Sequence, residues 1–377
     1  MEHLTHDWEV KVLDDLDPDL LLLVCDFFNT QFPGVYYPKC TPQIFEWKLS
    51  KSNPAGTGFL TVAISNGLVV GTASGTRKIL SQGGRSFEAI EIGDTFTHPS
   101  FRKNGNCTTP LGAMSIQDPY FSVSIFGRLV SETIARAHLN GIKFIYGTPN
   151  ANSYPPYLKR LKFKEVNVGQ ISLNLILTPN FHLFHKLPWV IRPLELMLRA
   201  ICYVLRFLTL GRNSIHETTK EDFITFFNQQ KFSSGLKQNV VCLGRTKEIL
   251  EHRYVSHPNH VYRFFKIKIK DKDKGVLITT EILRSNGFRS FVVSDWLISD
   301  RKVERRLSLI LPSLLRYVGG SEVITYWEQG GYNKVSKFLI GTFKYGRVSL
   351  ISMDNRFSDS SQVIEFENFR MGWSDNG

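Results

Sequence analysis

Along the first half of the chain, segments whose hydrophobic residues recur at helical spacing alternate with segments whose pattern is typical of β-strands. Residues 17–32 (DPDLLLLVCDFFNTQF) are apolar at helical spacing, begin at an Asp-Pro start signal and end before Pro33-Gly34. Residues 58–80 hold two runs rich in β-formers on either side of an Asn-Gly pair, which predicts a β-hairpin. Residues 87–99 alternate between apolar and polar positions, which predicts a third strand.

A second group of elements follows the hairpin. Residues 124–141 are amphipathic, with Ser124 at the N-cap position and Gly141 just past the end, which predicts a helix. The next predicted elements are a buried strand, a short helix with prolines in its first turn and a closing pair of strands, at 143–150, 153–161 and 163–177. Helices and strands interleaved in this order predict an α/β fold with a mixed sheet.

Residues 181–212 have a different character. They are mostly apolar, and Arg192, Arg199 and Arg206 recur every seven residues, so the three arginines share one helix face. A membrane-spanning helix needs about 20 uninterrupted apolar residues, and the arginines interrupt this run. The pattern favours a helix packed between two domains, while peripheral membrane contact by an interfacial helix at 186–210 stays open.

The pattern restarts near residue 217 with a helix, a hairpin, a strand over 289–298, a helix, a further strand, a short helix over 333–341 and a closing strand. This order repeats that of the first half, so the sequence predicts two tandem α/β domains related by duplication of the fold. We assign an N-terminal domain, a helical linker, a C-terminal domain and a polar tail without elements to residues 1–180, 181–214, 215–356 and 357–377.

Composition places the chain among globular proteins of ordinary kind. It has 377 residues, of which 42% are hydrophobic and 21% charged, as expected for two domains with real cores. The five cysteines show no Cys-x-x-Cys spacing, which argues against a disulfide framework and against a zinc or other metal site. With no secretory pattern in MEHLTHDWEV, we expect a cytoplasmic protein.

Charge is uneven along the chain. The net charge is +12, but residues 1–100 hold 7 Lys and Arg against 12 Asp and Glu, so the remaining 277 residues carry +17. Such a basic surface suits a phosphate-bearing cofactor, a nucleotide sugar, nucleic acid or acidic lipid. Solvation without any specific partner explains it equally well.

The stretch THPSFRKNGN (97–106) joins the third strand to the following helix. Successive backbone N–H groups in an Arg-x-x-Gly turn form a concave anion site, and the N-terminus of a helix adds a favourable field. Glycine lets the backbone approach a phosphate closely. The residues in question are Arg102, Lys103, Asn104 and Gly105.

In context these residues resemble the GNAT superfamily of acyl-coenzyme A-dependent N-acyltransferases. The resemblance is carried by Thr97-His98-Pro99, by Arg102 to Gly105, by Tyr146 to Asn150, and by Lys162-Phe163. It covers 10–178, and it extends over 217–353 through the order of elements and HRYVSHPNHVYRFF. The stretches FEWKLSKSNPAG and GTPNANSYPPY are similar to tandem-domain members associated with bacterial polysaccharide biosynthesis.

Two departures from the family pattern stand out. About 18 residues, at 106–123, are inserted before the helix that the family starts at once. This insertion closes over the cofactor, moves the phosphate site to Ser124–Gly127, or ends coenzyme A binding. Lys162 stands where the family usually has glycine at a bend.

The resemblance implies acetyl-coenzyme A, or another acyl-coenzyme A, as co-substrate and no metal. It implies that backbone N–H groups near Phe96 and Thr97 hold the thioester and pantetheine, and that Arg102 to Gly105 hold the phosphates. Asn150 and Ser153 contact the cofactor or the substrate, or else cap the short helix.

Acyl transfer to an amine needs a base, donors for the oxyanion and an acid for the leaving thiolate. In similar proteins a carboxylate on the strand at 87–99 often serves as base, which suggests Glu91 and, second, Asp94. These two are three residues apart, so we expect them on opposite faces of the strand. Tyr157, flanked by Tyr154, is the acid candidate or a packing aromatic. His98 and Cys107 fit a loop residue and an inert thiol better than catalysts.

The favoured function is N-acyl transfer, with acetyl as the expected group, to the amine of a small molecule, an amino sugar or a nucleotide sugar. Two alternatives stay open: an aminoacyl-tRNA-dependent peptidyl transferase of similar tandem fold, and a non-catalytic binding protein. No glycine-rich turn follows 289–298, so we expect a degenerate second domain without coenzyme A. Asp295, Trp296 and Trp327 line an acceptor pocket or belong to the core.

Overall fold

The structure is a computed structural model, and the chain divides into two compact units. Unit 1 comprises Met1–Val168, Leu236–His252 and Val348–Glu367, and unit 2 comprises the rest. The structure describes residues 7–31, 40–82, 85–102, 107–109, 124–150, 152–166, 171–178, 197, 200, 204, 214–229, 240–269, 272–283, 287–298, 303, 307–321, 323–329, 341–343, 350–352 and 365–367.

Unit 1 is built on a mixed sheet of nine strands. Their order is β1-β2-β3-β4-β5-β15-β6, with β9 on the far end of β3 and β16 on β9. The strands are β1 (Glu9–Leu13), β2 (Phe59–Ser65), β3 (Leu68–Gln82), β4 (Arg85–Thr97), β5 (Phe144–Gly147), β6 (Lys164–Val166), β9 (Val240–Leu243), β15 (Leu350–Ser352) and β16 (Glu365–Glu367). Strands β4 and β5 run parallel, whereas β1 to β4 are antiparallel neighbours.

The predicted hairpin forms between β2 and β3. Ser65 pairs with Leu68, so Asn66 and Gly67 make a two-residue turn. Their φ angles are 51° and 77°, the left-handed conformation that asparagine and glycine tolerate best. The Asn-Gly signal thus fixes the turn and the first two residue pairs, and a bulge at Val70 shifts the register of β2 and β3 beyond them.

Helices cover both faces of this sheet. On one face, helices α1 (Pro18–Gln31) and α2 (Pro42–Leu49) pack on Leu60 and Val62 of β2. On the other, helix α3 (Ile125–Leu139) packs on Ile90 and Ile92 of β4, and Thr133 contacts Thr61. The alternation of side chains along a strand sends neighbouring residues to opposite helix layers. The short helix α4 (Tyr154–Lys159) joins the α3 face.

Unit 2 repeats this arrangement on a mixed sheet of seven strands, in the order β14-β7-β13-β12-β11-β10-β8. Its strands are β7 (Ile171–Leu177), β8 (Ser214–Thr218), β10 (Tyr262–Ile269), β11 (Lys272–Leu283), β12 (Arg289–Ile298), β13 (Val323–Gln329) and β14 (Gly341–Phe343). Strands β12 and β13 are parallel, as β4 and β5 are in unit 1. Its helices are α5 (Lys220–Gln229) and α7 (Leu307–Ile310), which continues as a 3₁₀ helix over Leu311–Arg316. Helix α6 (Lys247–Tyr254) belongs to unit 1 up to His252.

The α/β fold class with mixed sheets is therefore confirmed, and most elements lie within a few residues of their predicted bounds. The two strands predicted to close the first domain, over 163–177, belong to different sheets. Strand β6 pairs with β15 in the first sheet, whereas β7 pairs with β13 and β14 in the second. The described units consequently differ from the predicted boundaries at 180 and 356. Strands β1, β8, β9 and β16 were not predicted, and β16 lies in the tail to which no element was assigned.

Some predicted segments fall largely outside the described residues. The helix over 333–341 does so, and of the helix over 186–210 only Met197, Ala200 and Val204 are described, all helical. Met197 and Val204 are exposed. Within the described ranges, no helix has the length and apolarity that a membrane crossing requires.

Candidate functional site

Strand β4 extends beyond its pairing with β5. Strand β5 ends at Gly147, which pairs with Ile92, whereas β4 runs on to Thr97 and stays paired with Gly71 of β3. The stretch from Gly93 to Thr97 therefore has its neighbour on one side only within the described sheet.

A β-bulge occupies this stretch. The register passes from Thr72–Phe96 to Ser74–Gly93, so Asp94 and Thr95 together oppose a single residue of β3. Asp94 has φ 47°, in the left-handed region that few residues other than glycine adopt at low cost. The extra residue shifts the alternation of side chains by one position.

The bulge overturns the prediction that Glu91 and Asp94 point to opposite faces. Ile90 and Ile92 pack against α3, so Glu91 lies on the face that α1 and α2 cover. Asp94 contacts Lys48 of α2 and lies on that same face. A spacing of three residues gives opposite faces only in a regular strand, and the bulge makes this one irregular.

Both carboxylates are held by lysines. Lys78 Nζ lies 3.2 Å from Glu91 Oε2, and the two side chains are 12% and 13% exposed. Lys48 Nζ lies 2.8 Å from Asp94 Oδ2, which also accepts a hydrogen bond of 2.5 Å from Ser74 Oγ. Lys48 and Ser74 thus both donate to one oxygen of Asp94, whereas Glu91 forms an ion pair with Lys78 of the neighbouring strand.

Tyr157 lies on the α3 face, directly below the bulge. Its ring packs edge-on against Phe126 and Phe163, with centroids 5.3 and 5.0 Å away. Its hydroxyl group shares a hydrogen bond with the Thr95 hydroxyl, and Thr95 Oγ1 donates to Gly93 O over 3.2 Å. Burial raises the pKa of Tyr157 well above its usual value, and the bond to Thr95 offsets part of this shift.

The N-terminus of α3 lies beside the same end of β4. Ser124 is its N-cap, as predicted, since its Oγ accepts a hydrogen bond from Gly127 N over 3.3 Å. Gly71, paired with Thr97, makes the close approach possible. A Cβ atom on Gly71 would lie 2.5 Å from Ile125 Cγ2. Arg128 is buried in the first turns of α3 and forms an ion pair with Glu132 at 3.0 Å.

The segment after β4 is a short 3₁₀ turn over Pro99–Phe101. His98 Nδ1 accepts a hydrogen bond from Ser100 N at 3.3 Å, so this histidine is a turn cap. Arg102 Nε donates to Thr97 O over 3.3 Å, and the guanidinium lies 5.6 Å from the centre of the Phe96 ring. Lys103, Asn104 and Gly105 lie outside the described residues.

The insertion is anchored at the opposite edge of the sheet. Trp8, next to β1, forms a bridge with Cys107, and Thr108 N donates to Trp8 O at 2.9 Å. Val10 N donates to Thr109 Oγ1 at 2.9 Å. The pKa of Cys107 is raised by burial, as expected of an inert thiol. Residues 107–109 of the insertion therefore lie beside Trp8 and β1.

The predicted site residues after β5 organise a turn. Asn150 Oδ1 accepts hydrogen bonds from the backbone N–H groups of Asn152 and Ser153, both over 3.0 Å, and from Ser153 Oγ over 3.1 Å. This turn leads into α4, whose only fully buried residue among those described is Tyr157. Lys162, at the position where glycine is usual, has φ 58° with its side chain exposed. The backbone conformation there explains why the position suits glycine.

A corresponding bulge lies on β12 of unit 2. The register passes from Ile278–Asp295 to Thr279–Val293. Asp295 is fully buried and accepts a hydrogen bond of 3.0 Å from Tyr254. Trp296 belongs to the core of that unit, and the side chain of Trp327 lies outside the described residues. Within unit 2, Asp295 and Trp296 are thus interior residues.

Three residues of this site were missed by sequence reasoning: Lys48, Ser74 and Thr95. None carries a sequence signal, because their partners are far away along the chain. Among the described residues, no group of three or more His, Cys, Asp or Glu side chains is placed to hold a metal ion.

Solved structures of acyltransferases share this fold. A GCN5-related N-acetyltransferase from Anabaena variabilis is 12% identical, with 91% of this chain and 72% of that chain covered and a TM-score of 0.52. A probable N-acyltransferase from Enterococcus faecalis is 10% identical, with 92% and 72% covered and a TM-score of 0.51. N-myristoyltransferase of Saccharomyces cerevisiae, solved with bound myristoyl-CoA, is 13% identical, with 92% and 81% covered and a TM-score of 0.55.

No protein-family profile and no curated protein sequence matches the chain. At identities this low, a structural likeness establishes the fold and nothing finer. The chain has the GNAT fold, so the resemblance seen in the sequence is confirmed at that level.

Proposed function

We propose that this protein is an acyltransferase that takes an acyl group from acyl-coenzyme A and transfers it to an amine. The observation that carries the proposal is the end of β4: it continues past its pairing with β5, and the Tyr157 phenol is hydrogen-bonded to Thr95 within that stretch. The myristoyl-CoA in the structurally similar yeast enzyme supports coenzyme A as the carrier.

The residues present fit such a co-substrate. Pantetheine is an extended chain with two amides, and a strand edge binds extended amide chains through main-chain hydrogen bonds. The first turn of α3 presents backbone N–H groups and a positive dipole end to a pyrophosphate. Arg102 directly follows the 3₁₀ turn, five residues after Thr97, and brings positive charge to this end of β4.

Tyr157 is proposed as the acid. Because burial raises its pKa, the phenol stays protonated at neutral pH and has a proton to give to sulfur. Glu91 is proposed as the base, directly or through a water molecule, from the opposite face of the sheet. Acyl-coenzyme A supplies an acyl group activated as a thioester. A C–N bond forms and the C–S bond breaks, while the amine proton goes to Glu91 and the phenol proton to sulfur.

Acetyl is the first acyl group to test, and the proposed acceptors are the amines of small molecules, amino sugars and nucleotide sugars. The assay is release of free coenzyme A from acetyl-CoA and from myristoyl-CoA with a panel of such amines. For Tyr157→Phe we expect kcat to fall about 100-fold or more, the usual contribution of a general acid, with KM little changed. Tyr154→Phe is the matched control, since Tyr154 is only partly buried on the same helix. An unchanged kcat in Tyr157→Phe would contradict the assignment.

A matched pair of variants tests the base. Glu91→Gln and Asp94→Asn each remove one negative charge from the same face of β4. Loss of kcat in Glu91→Gln with a normal fold supports Glu91. If Asp94→Asn alone lost activity while remaining folded, the base would be Asp94. Transfer of an aminoacyl group from aminoacyl-tRNA to the amine, in place of an acyl group from acyl-coenzyme A, would support the peptidyl-transferase alternative.

A further inference from the structure

Cys25 and Cys40 lie side by side in unit 1. Cys25 is in the middle of α1, and Cys40 comes two residues before α2. Their Sγ atoms are 3.8 Å apart, although the residues are separated by 15 positions. Cys25 is 3% exposed and Cys40 is half-buried. The sequence offered no signal for this pairing, because it lacks a Cys-x-x-Cys spacing.

Asn29 holds the two cysteines together. Its Nδ2 donates to Cys40 O over 3.0 Å, and Cys40 N donates to its Oδ1 over 2.8 Å. Asn29 is four residues after Cys25, so the two share one face of α1. Both hydrogen-bonding ends of one amide therefore fix the backbone of Cys40 above the side of α1 that carries Cys25.

The surroundings suit thiol chemistry. The hydrogen bond that the Cys40 thiol donates lowers the pKa of Cys25 and, together with burial, raises the pKa of Cys40. Cys25 is therefore the first thiol of the pair to ionise, and the thiolate is the reactive form in disulfide exchange. Cys107 differs in its partner. Its pKa is raised by burial, and its thiol lies 3.5 Å from Thr109 O instead of another sulfur.

We propose that Cys25 and Cys40 form a redox-active dithiol that closes to a disulfide by exchange with a low-molecular-weight disulfide, such as glutathione disulfide. The half-buried Cys40 is the sulfur reached from outside. Cys40 passes its proton across the Sγ–Sγ hydrogen bond to the Cys25 thiolate, attacks glutathione disulfide and expels one glutathione thiolate, which takes up a proton from solvent. Cys25 then attacks Cys40 Sγ and expels the second. The protein loses two electrons and two protons, and glutathione disulfide becomes two molecules of glutathione.

Closure requires the sulfur atoms to approach from 3.8 Å to about 2.05 Å. The disulfide ties α1 to the segment that enters α2, and α2 carries Lys48, the partner of Asp94. The oxidation state of the pair thereby acts on the helix layer that holds the β4 bulge. The proposal does not depend on the acyltransferase function, since its chemistry involves only the two thiols.

The test uses the full chain equilibrated in glutathione buffers from reducing to oxidising, followed by alkylation and peptide mapping. We expect a peptide pair linked through Cys25 and Cys40, the loss of two of the five thiols, and full recovery with dithiothreitol. Cys107→Ser, the matched control, should leave that loss unchanged, whereas Cys40→Ser should abolish the linked peptide. The oxidised wild type should also melt several degrees higher than the reduced wild type, and Cys40→Ser should show no such difference.

Two results would overturn the proposal. One is glutathione attached singly to Cys40 or Cys107 in the most oxidising buffer, with no linked peptide in a protein that keeps its circular dichroism spectrum. The other is a linked peptide formed only in urea and absent in buffer, since the pair would then come together only in the unfolded chain.

Discussion

Lys48 Nζ and Asp94 Oδ2 lie 2.8 Å apart and join helix α2 to the bulge of strand β4. The side chains are only 7% and 18% exposed, so the contact is largely shielded from water. Asp94 has the left-handed backbone of the bulge, and the ion pair together with Ser74 holds it there. The bulge in turn places Thr95 against Tyr157, which makes this pair a support of the candidate site.

Asp94→Asn should destabilise the protein by about 3–5 kcal/mol, because removal of the carboxylate deprives the buried Lys48 ammonium of its counter-charge at 2.8 Å. Asparagine tolerates the left-handed conformation, so the loss reports on the ion pair instead of on the backbone. Urea unfolding measures it. Lys48→Met, which keeps the apolar stem, should show a similar loss.

The double variant Lys48→Met with Asp94→Asn gives the interaction free energy of the two side chains apart from the effect of each single substitution. We expect a coupling free energy of about 1–3 kcal/mol, as for residues in direct contact. Additive losses would mean that the two side chains act independently and that the bulge is held by other contacts.

Gly71→Ala should destabilise unit 1 by about 1–3 kcal/mol, the usual cost of overpacking. The added methyl group would lie 2.5 Å from Ile125 Cγ2 and 3.0 Å from Leu129 Cδ1. Ile125→Ala removes the first of these atoms, so it should restore part of the loss when combined with Gly71→Ala. If the combined variant were no better than the sum of both changes, the close approach of α3 to β3 would be refuted.

Tyr157 should make stability depend on pH in the alkaline range. Burial raises its pKa above the ordinary value of 10.0, so the folded protein keeps the phenol proton where the unfolded chain loses it. The contribution of the Tyr157 phenol to the free energy of unfolding is complete below pH 10. It declines as the pH rises above 10, by about 1.4 kcal/mol per pH unit.

Tyr157→Phe cannot ionise and provides the reference. The free energy of unfolding of the wild type should fall relative to that of Tyr157→Phe between pH 10 and pH 11. A constant difference over that interval would mean that the phenol titrates in the fold as it does in the unfolded chain.

In unit 2, Glu217 and Arg263 form a bidentate pair, with distances of 2.8 and 2.9 Å. The hydrogen bonds from Arg263 lower the pKa of Glu217 below its ordinary 4.5. Stability from this pair is therefore present above pH 4.5 and lost as the pH falls through the folded-state value.

Glu217→Gln should cost about 0.5–1 kcal/mol at pH 7, since a partly exposed pair is screened by solvent. The difference from the wild type should shrink as the pH falls below 4.5 and through the folded-state pKa of Glu217. Glu281→Gln is the matched control, because Glu281 contacts the same arginine at 3.4 Å, and its effect should be smaller. An effect of Glu217→Gln that did not decline as the pH was lowered would show that packing, and not charge, is responsible.

Local signals predicted most of the fold. Asn66-Gly67 predicted the turn between β2 and β3, and Ser124 predicted the start of α3, because turns and caps depend on residues close together in sequence. The exchange of β7 and β15 between the sheets was not predicted. Pairing over such distances depends on tertiary contacts that no window of sequence contains.

The candidate site shows the same limit. Tyr157 was identified through the resemblance to the GNAT superfamily, whereas Thr95 and Lys48 were not, because their roles arise from the bulge. A bulge inserts one residue without a distinct sequence mark, so the faces of Glu91 and Asp94 were predicted for a regular strand. The structure corrects that prediction, since both lie on the α1 and α2 face.

The most direct test of the central claim is a calorimetric titration of acetyl-CoA and myristoyl-CoA into the wild type and into Arg102→Ala. We expect one molecule bound per chain, with affinity weakened about tenfold in the variant, equivalent to about 1.4 kcal/mol. Folded wild-type protein that binds neither thioester would contradict the account and leave the GNAT fold here without coenzyme A chemistry.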